Sequence, residues 1–502
     1  MDRLEAIPAH WAGVRPDALA LVEAAGGRTW RELDAARIAF ARTLSDAGVV
    51  PGDRVMIVGE NCAAMVALLF AVASLDAWIV NLNARLSARE VDAIREHARP
   101  RCVLFLPDNS PDAAAHAARL GAMAFGDDGW GSILRARPVE GCAPEVPEPD
   151  RAARVAALVY TTGTTGEPKG VMLTHRNVLF VARAAGQLRQ LTEADRVFAV
   201  LPLSHVYGLS SVCLGSLMAG ACLYLQPRFT PTGMRAALEV DRVTMCQGVP
   251  AMYTKYLEFL AAQALPLRAP GLRAIYCGGS PLAASVKRAV EEAFGLVLHN
   301  GYGLTEAAPT VSQTRHDAPR TDCSVGPALP GVDVRIVEPG GADAARGTVG
   351  ELWVRGPNVM KGYYRDPRAT AEALRNGGWL ATGDLARVDA DGALHIEGRS
   401  KELIIRSGFN VYPVEVEAVL NEHPHVSQSA VVGRELEGNE EVVAFVEPVP
   451  GTNLDAAALA AFAAQRLAPY KRPAEIIVME KLPAAASGKL LKGRLKELAR
   501  AR

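Results

Sequence analysis

The sequence predicts a large α/β domain followed by a small α+β domain, on three observations. Up to about residue 395, short apolar runs alternate with longer helical patterns, the mark of buried sheets covered by helices. Near residue 400 the texture changes into a self-contained mixture of strands and helices. At 502 residues the chain is also too long for one compact core, so the large domain is expected to be divided into subdomains. The expected boundaries are 1–397 for the large domain, 398–401 for the joint and 402–502 for a small, mobile domain.

RVMIVG (54–59), RCVLFL (101–106) and AALVYTT (156–162) are short apolar runs of strand length. AAMVALLFAVASLDAWIV (63–80) is interrupted by Asp76 and is too short for a membrane span; it reads as a buried helix leading into a strand. The Pro-rich stretch 137–154 is expected to be a surface connection, and ATAEALRNG (369–377) a helix. In the small domain, strands are expected at 402–406, 426–433, 441–447 and 475–480. Helices are expected at 413–421, at 454–467 and at the C-terminus.

Charge and composition exclude several classes. Lys and Arg number 54 against 55 Asp and Glu, which gives no global electrostatic case for nucleic acid or an anionic membrane. The N-terminus lacks a basic-then-apolar leader, and the eight Cys form no C-x-x-C pair. Reduced, mostly buried thiols in a cytoplasmic protein, monomer or homodimer, are the expectation. Only 10 of the 54 basic residues are Lys, none before Lys169, which marks Lys169, Lys401 and Lys489 as positions needing a compact ammonium.

The strongest chemical signal is YTTGTTGEPKG (160–170), directly after the strand AALV. Gly163, Gly166 and Gly170 allow tight turns that present backbone N–H groups to an anion. Thr161, Thr162, Thr164 and Thr165 add hydroxyls, and Lys169 adds a positive charge. The spacing is not that of a Walker A loop, so the segment indicates a polyphosphate without naming a reaction.

That loop resembles the phosphate-binding signature of the adenylate-forming superfamily, which comprises acyl- and aryl-CoA ligases, luciferases and nonribosomal peptide adenylation domains. The family's other motifs follow in order: LPLSHVYG (201–208), GGSPL (278–282), NGYGLTEAAP (300–309), GELWVRGP (350–357) and GYYRDPRAT (362–370). They continue with GWLATGDLARVDADG (378–392), GRSKELIIRSGFNVYPVEVE (398–417) and SGK (487–489), so the resemblance spans essentially the whole chain. It departs from the usual pattern at Ser204, where an aromatic is more common, at Ala485, where Thr is, and at Gly493, where Arg is.

The resemblance implies ATP, Mg2+ and coenzyme A as reactants or cofactors, and a fold like that of acetyl-CoA synthetase. By that resemblance Asn300 reads the adenine edge, Tyr302 stacks on the purine between Gly301 and Gly303, and Gly279 and Ser280 complete the nucleotide site. Thr305 bonds the α-phosphate, and Glu306 with Thr161 holds the metal. Asp384, helped by Arg399, accepts the ribose hydroxyls; an Asx-turn is the structural alternative. Lys489 neutralises charge as a carboxylate attacks the α-phosphate, while Lys492, Arg494 and Lys496 read as a solvated helix face.

Lys401 takes the hinge position, and Ser407, Gly408 and Lys471 the CoA tunnel and its mouth. His205, either a gate beside the reacting carboxylate or a core histidine, heads an acyl pocket of Val206, Tyr207, Gln247, Gly279, Gly301, Gly303 and Ala308. Small residues there leave volume, and those segments contain no fixed cation or carboxylate. The expected substrate is therefore a neutral, largely apolar monocarboxylate, fatty or aryl, with Gln247 and Tyr207 available to a ring hydroxyl. A ligase loading a separate carrier protein and a non-catalytic nucleotide-binding protein are the alternatives.

Overall fold

The computed structural model describes residues 1–126, 129–139, 141–162, 168–406, 409–436, 439–484 and 490–501. Two eight-stranded sheets dominate the large domain. In the first, the strands run Thr310–Gln313, Leu298–Gly303, Ala274–Gly278, Met245–Gly248, Arg196–Ala199, Cys222–Leu225, Leu19–Glu23 and Gly26–Thr29. The second is centred on Val155–Thr162, Trp78–Asn83 and Arg54–Gly59. One continuous core joins their inner faces through the helices Ala63–Ser74 and His175–Leu188. Ala63–Ser74 is apolar all round because it is buried all round, which is what a helix sandwiched between sheets requires.

The helix His175–Leu188 is held at its start by a reciprocal cap. Thr174 Oγ1 accepts from the Asn177 amide at 3.2 Å, and Asn177 Oδ1 accepts from the Thr174 amide at 2.8 Å. The Asn177 side chain also donates to the carbonyls of Pro357 and Val359, both at 2.8 Å, tying the helix to the end of GELWVRGP. So fixed, the helix delivers Arg189, its C-cap residue, onto the face of the first sheet.

A smaller sheet of Asp333–Val337, Gly350–Arg355, Trp379–Val388, Leu374–Arg375 and Leu394–Arg399 leads into the C-terminal part. There the strands Val426–Leu436, Asn439–Pro448 and Glu475–Val478 carry the helices Pro413–Leu420, Ala456–Ala464 and Lys492–Arg500. Among the described residues no helix is long and apolar enough to cross a membrane, and all eight Cys are free, five of them buried.

Several expected elements differ in extent, among them two helices and one strand of the last third of the chain. The helix expected at 369–377 is Pro367–Ala373; Gly377 and Gly378, at φ 76° and 77°, turn the chain so that Leu374–Arg375 pairs with Trp379–Leu380. The strand expected at 402–406 is a 3₁₀ turn, Ser400–Glu402, followed by Ile404–Arg406. The helix expected at 454–467 is Ala456–Ala464, started by Asp455, whose carboxylate accepts from the amides of Ala457 and Ala458.

Candidate active site

Strands Val155–Thr162 and Pro168–Thr174 form a hairpin in which Thr161 pairs with Lys169 and Thr162 with Pro168. Gly163, Thr164, Thr165 and Gly166 fall outside the described residues. The Lys169 ammonium lies 5.2 Å from the centre of the Tyr363 ring. The Tyr363 hydroxyl in turn donates to Glu306 Oε1 at 2.7 Å. Burial, and then the Glu306 charge, push the Tyr363 phenol well above its ordinary range, so it stays a donor. Half-buried Glu306 thus has one oxygen fixed, while the other makes no hydrogen bond to a described residue. A positioned hard oxygen with a vacant lone pair fits Mg2+ held mainly by phosphates and water. Thr305, 8 % exposed, begins the 3₁₀ turn that presents Glu306.

A second line of contacts crosses to the smaller sheet. Tyr302 donates its hydroxyl to Asp384 Oδ2 at 2.5 Å, and Arg399 Nε approaches Asp384 Oδ1 at 3.1 Å. The latter pair is set by register, since Asp384 and Arg399 are direct partners on antiparallel strands. Burial and the Asp384 carboxylate raise the Tyr302 phenol well above its ordinary value, so it is neutral at every working pH. Burial opposes the Arg399 cation, yet the neighbouring carboxylate of Asp384 holds its pKa above the usual value.

Asn300, 5 % exposed, spends its amide inside the protein: Nδ2 donates to the carbonyls of Cys323 at 3.1 Å and Ser324 at 3.4 Å, and Oδ1 accepts from the Gly301 amide at 3.0 Å. Its side chain braces the strand end that carries Tyr302.

Lys169, Tyr363, Gly383, Arg399 and Lys401 line one cleft of about 780 Å³ between the large and small domains. Lys401 is exposed in the turn Ser400–Glu402. Lys492 is not on a solvated face: its ammonium lies 2.8 Å from Glu417 and 3.1 Å from Glu402, anchoring the last helix to the helix Pro413–Leu420 and the turn Ser400–Glu402. Two acidic neighbours draw it inward, a pairing that local sequence does not reveal. Lys471 is 2.5 Å from Glu415 and sits over the Tyr470 ring. Ser407, Gly408 and Lys489 lie outside the described residues; Ala484 and Leu490, on either side of the last, form an antiparallel bridge.

The acyl-pocket candidates gather at the C-terminal ends of the first sheet's strands. His205 is exposed and its Nδ1 accepts from the Tyr207 amide at 3.2 Å, while Val206 is buried. Two small residues are not spare volume. A Cβ on Gly303 would stand 2.3 Å from the Pro309 carbonyl, and buried Ala308 packs in the core. Gly279, at φ 79° with Val249 as its nearest neighbour at 3.7 Å, is the position that leaves room, next to half-buried Ser280.

Gln247 is 1 % exposed and its Oε1 accepts from Arg189 Nη1 at 2.5 Å. Arg189 is the residue that motif reading misses, because it lies outside every motif and acts through chain segments distant from it. Tyr363 lies within GYYRDPRAT, but its partner Glu306 is 57 residues away, so local sequence does not reveal the bond.

The model of the AMP-binding enzyme family matches residues 8–364, and that of the AMP-binding enzyme C-terminal domain matches 415–489. Feruloyl-CoA synthase of an Amycolatopsis species is 36% identical over 97% of both chains. Indoleacetate–CoA ligase of Aromatoleum aromaticum is 34% identical over 99% of this chain and 98% of its own. Among solved structures, ATP-bound MatB from Rhodopseudomonas palustris superimposes with a TM-score of 0.84 at 31% identity, covering 99% of both chains.

Proposed function

Since the chain belongs to the AMP-binding enzyme family and is an AMP-forming acid–CoA ligase, we propose that it activates a neutral, mostly apolar monocarboxylate of aryl, cinnamic or fatty type as its acyl-AMP. Coenzyme A then takes the acyl group as a thioester, releasing AMP. The observation that carries this reading is the convergence on one cleft of Lys169 and Tyr363, which leads to Glu306, with Arg399, which leads to Asp384 and Tyr302.

The protein's part is positioning and charge. Tyr302 and Asp384 hold the nucleoside, and Lys169 meets its phosphates. Glu306, oriented by Tyr363 and helped by Thr161, would hold Mg2+, which when bound would offset phosphate charge. Lys489 neutralises charge as the carboxylate oxygen attacks the α-phosphorus and the bond to pyrophosphate breaks. The small domain then turns about Lys401, and the thiol sulfur attacks the acyl carbonyl, expelling AMP. The joint at 398–401 and the C-terminal unit from 402 are the parts taken to move. Relatives named for feruloyl and indoleacetate substrates support the aryl end of the acid range.

Pyrophosphate release from Mg-ATP across fatty acids, benzoates and hydroxycinnamates, with and without CoA, tests the proposal. Multiple turnovers for one class only when CoA is present support it. Release that stays single-turnover with every acid despite CoA overturns the thioester step, and no release at all overturns adenylation.

A further inference from the structure

Arg189 is 2 % exposed, and among the described residues no carboxylate lies within ion-pair reach of it. Its guanidinium is held by neutral oxygens: Nε and Nη2 donate to Gln313 Oε1 at 3.1 and 2.9 Å, and Nη1 to Gln247 Oε1 and the Ser211 carbonyl at 2.5 and 2.9 Å. The Tyr276 ring lies under it at 5.2 Å. These contacts use four of its five N–H donors. Around it further polar atoms lack partners: Gln313 Nε2 and the Tyr276 hydroxyl are buried without a hydrogen bond, and Gln247 Nε2 reaches only the Met245 sulfur at 3.8 Å. A buried cation without a counter-charge is costly, and so is each buried polar atom left unbonded.

Strand register shows where this cluster points. Gln247 pairs with Tyr276 and Tyr276 with His299, two rungs below the paired Gly278 and Gly301, while Gly301 pairs with Gln313. All of these residues share one face of the sheet, and the face ends in the glycine rung at the expected acyl pocket. Tyr207 stands over that rung: a Cβ on Gly278 would be 3.5 Å from its ring.

We infer that Arg189, with Gln247 and Gln313, forms the polar floor of the acyl pocket and selects acids bearing a hydrogen-bond-accepting oxygen, a phenolic hydroxyl or a second carboxylate, at the end far from the reacting carboxyl. This inference rests on the proposed acid–CoA ligation: a phenolic acid as the preferred substrate narrows the proposed acid range, and a dicarboxylic one replaces it. The fifth guanidinium N–H and the Gln313 amide donate to that oxygen; Gln247 Nε2 stands beside them.

The test compares three acids on one scaffold: cinnamate, 4-hydroxycinnamate and 4-carboxycinnamate, each measured as kcat/KM for CoA thioester formation. The expected result is a preference for one oxygen-bearing acid over cinnamate of about ten- to a hundredfold, the range for a hydrogen bond to a charged group. Which acid wins identifies the oxygen. In Arg189→Met that ratio collapses toward one, and in Gln313→Leu it falls part of the way, with Gln313→Leu as the safeguard should Arg189→Met not fold. Cinnamate used as well as either analogue by the wild type overturns the inference. So does a variant that loses all three acids in equal proportion, which is the signature of a structural role. Failure of every carboxylate to release pyrophosphate from ATP, by contrast, overturns the ligase reading itself.

Discussion

On one side of the strand Leu298–Gly303, Arg399 sits 3.1 Å from the carboxylate of Asp384, which also takes the Tyr302 hydroxyl. On the other side Arg189 is held by amide and carbonyl oxygens, with no carboxylate in reach among the described residues. Alternation along the strand produces the split, since Tyr302 and Gly301 point to opposite faces. The matched side is complete within the protein: charge meets charge, and the nucleoside is expected to meet a preset acceptor. The unmatched side is more buried and less satisfied, and a ligand oxygen would complete it. Fixed affinity for a common nucleotide and tunable selection of an acid can thus be built on one strand without sharing a side chain.

The largest expected effect lies outside both clusters and separates chemistry from binding. Lys489→Ala should lower acyl-AMP formation about a hundred- to a thousandfold, as measured by ATP–pyrophosphate exchange. A supplied acyl-AMP should still react with CoA. Full exchange in this variant would remove Lys489 from the adenylation step.

Next in size is the matched side. Asp384→Asn removes the charge and one of the two acceptor oxygens facing the ribose and leaves Arg399 without its counter-charge, so the KM for ATP should rise about ten- to a hundredfold. The preference among cinnamate, 4-hydroxycinnamate and 4-carboxycinnamate should not move. A shift in that preference would show that the two sides communicate. Tyr302→Phe keeps the Asp384–Arg399 pair and loses one hydrogen bond, for which a rise in the KM for ATP of about fivefold is expected. An effect as large as that of Asp384→Asn would mean that Tyr302 is what orients the carboxylate.

The two sides also differ in how far the sequence reveals them. Tyr302, Glu306, Asp384 and Arg399 sit in short motifs, where a turn, a phenol and a carboxylate lie within a few residues, so their chemistry can be inferred locally. The register that makes Asp384 and Arg399 direct partners lies between adjacent strands of the same hairpin. Arg189 has no such local signature. Its significance comes from a sheet order that places Thr310–Gln313, Leu298–Gly303, Ala274–Gly278 and Met245–Gly248 side by side under one helix end. The same limit applies to Lys492, whose acidic partners come from two other elements. Fold class and most strands followed from hydrophobic periodicity, whereas the ends of helices at 369–377 and 454–467 did not. There a pair of glycines and an aspartate cap outweighed helical propensity.

The smallest effect is a pH slope belonging to the unmatched side. His299 stacks on Tyr276 with ring centres 4.8 Å apart, and burial, then the nearby His316 and Lys287, lower its pKa from 6.5 to about 4 against the opposing pull of Glu291, with Arg189 adding a smaller push in the same downward direction. The folded state therefore binds fewer protons than the unfolded chain between these values. Stability is highest above pH 6.5 and declines as pH falls toward about 4. Tyr302 stays neutral throughout that range and contributes no slope. His175, buried elsewhere and lowered to about 3, adds a second decline of the same sign. His299→Gln should then reduce, without abolishing, the fall in Tm between pH 7 and pH 5 that the wild type shows. If the variant keeps the whole slope, His299 titrates as an ordinary imidazole, and the electrostatic contrast between the two faces of the strand is weaker than the arrangement of charges implies.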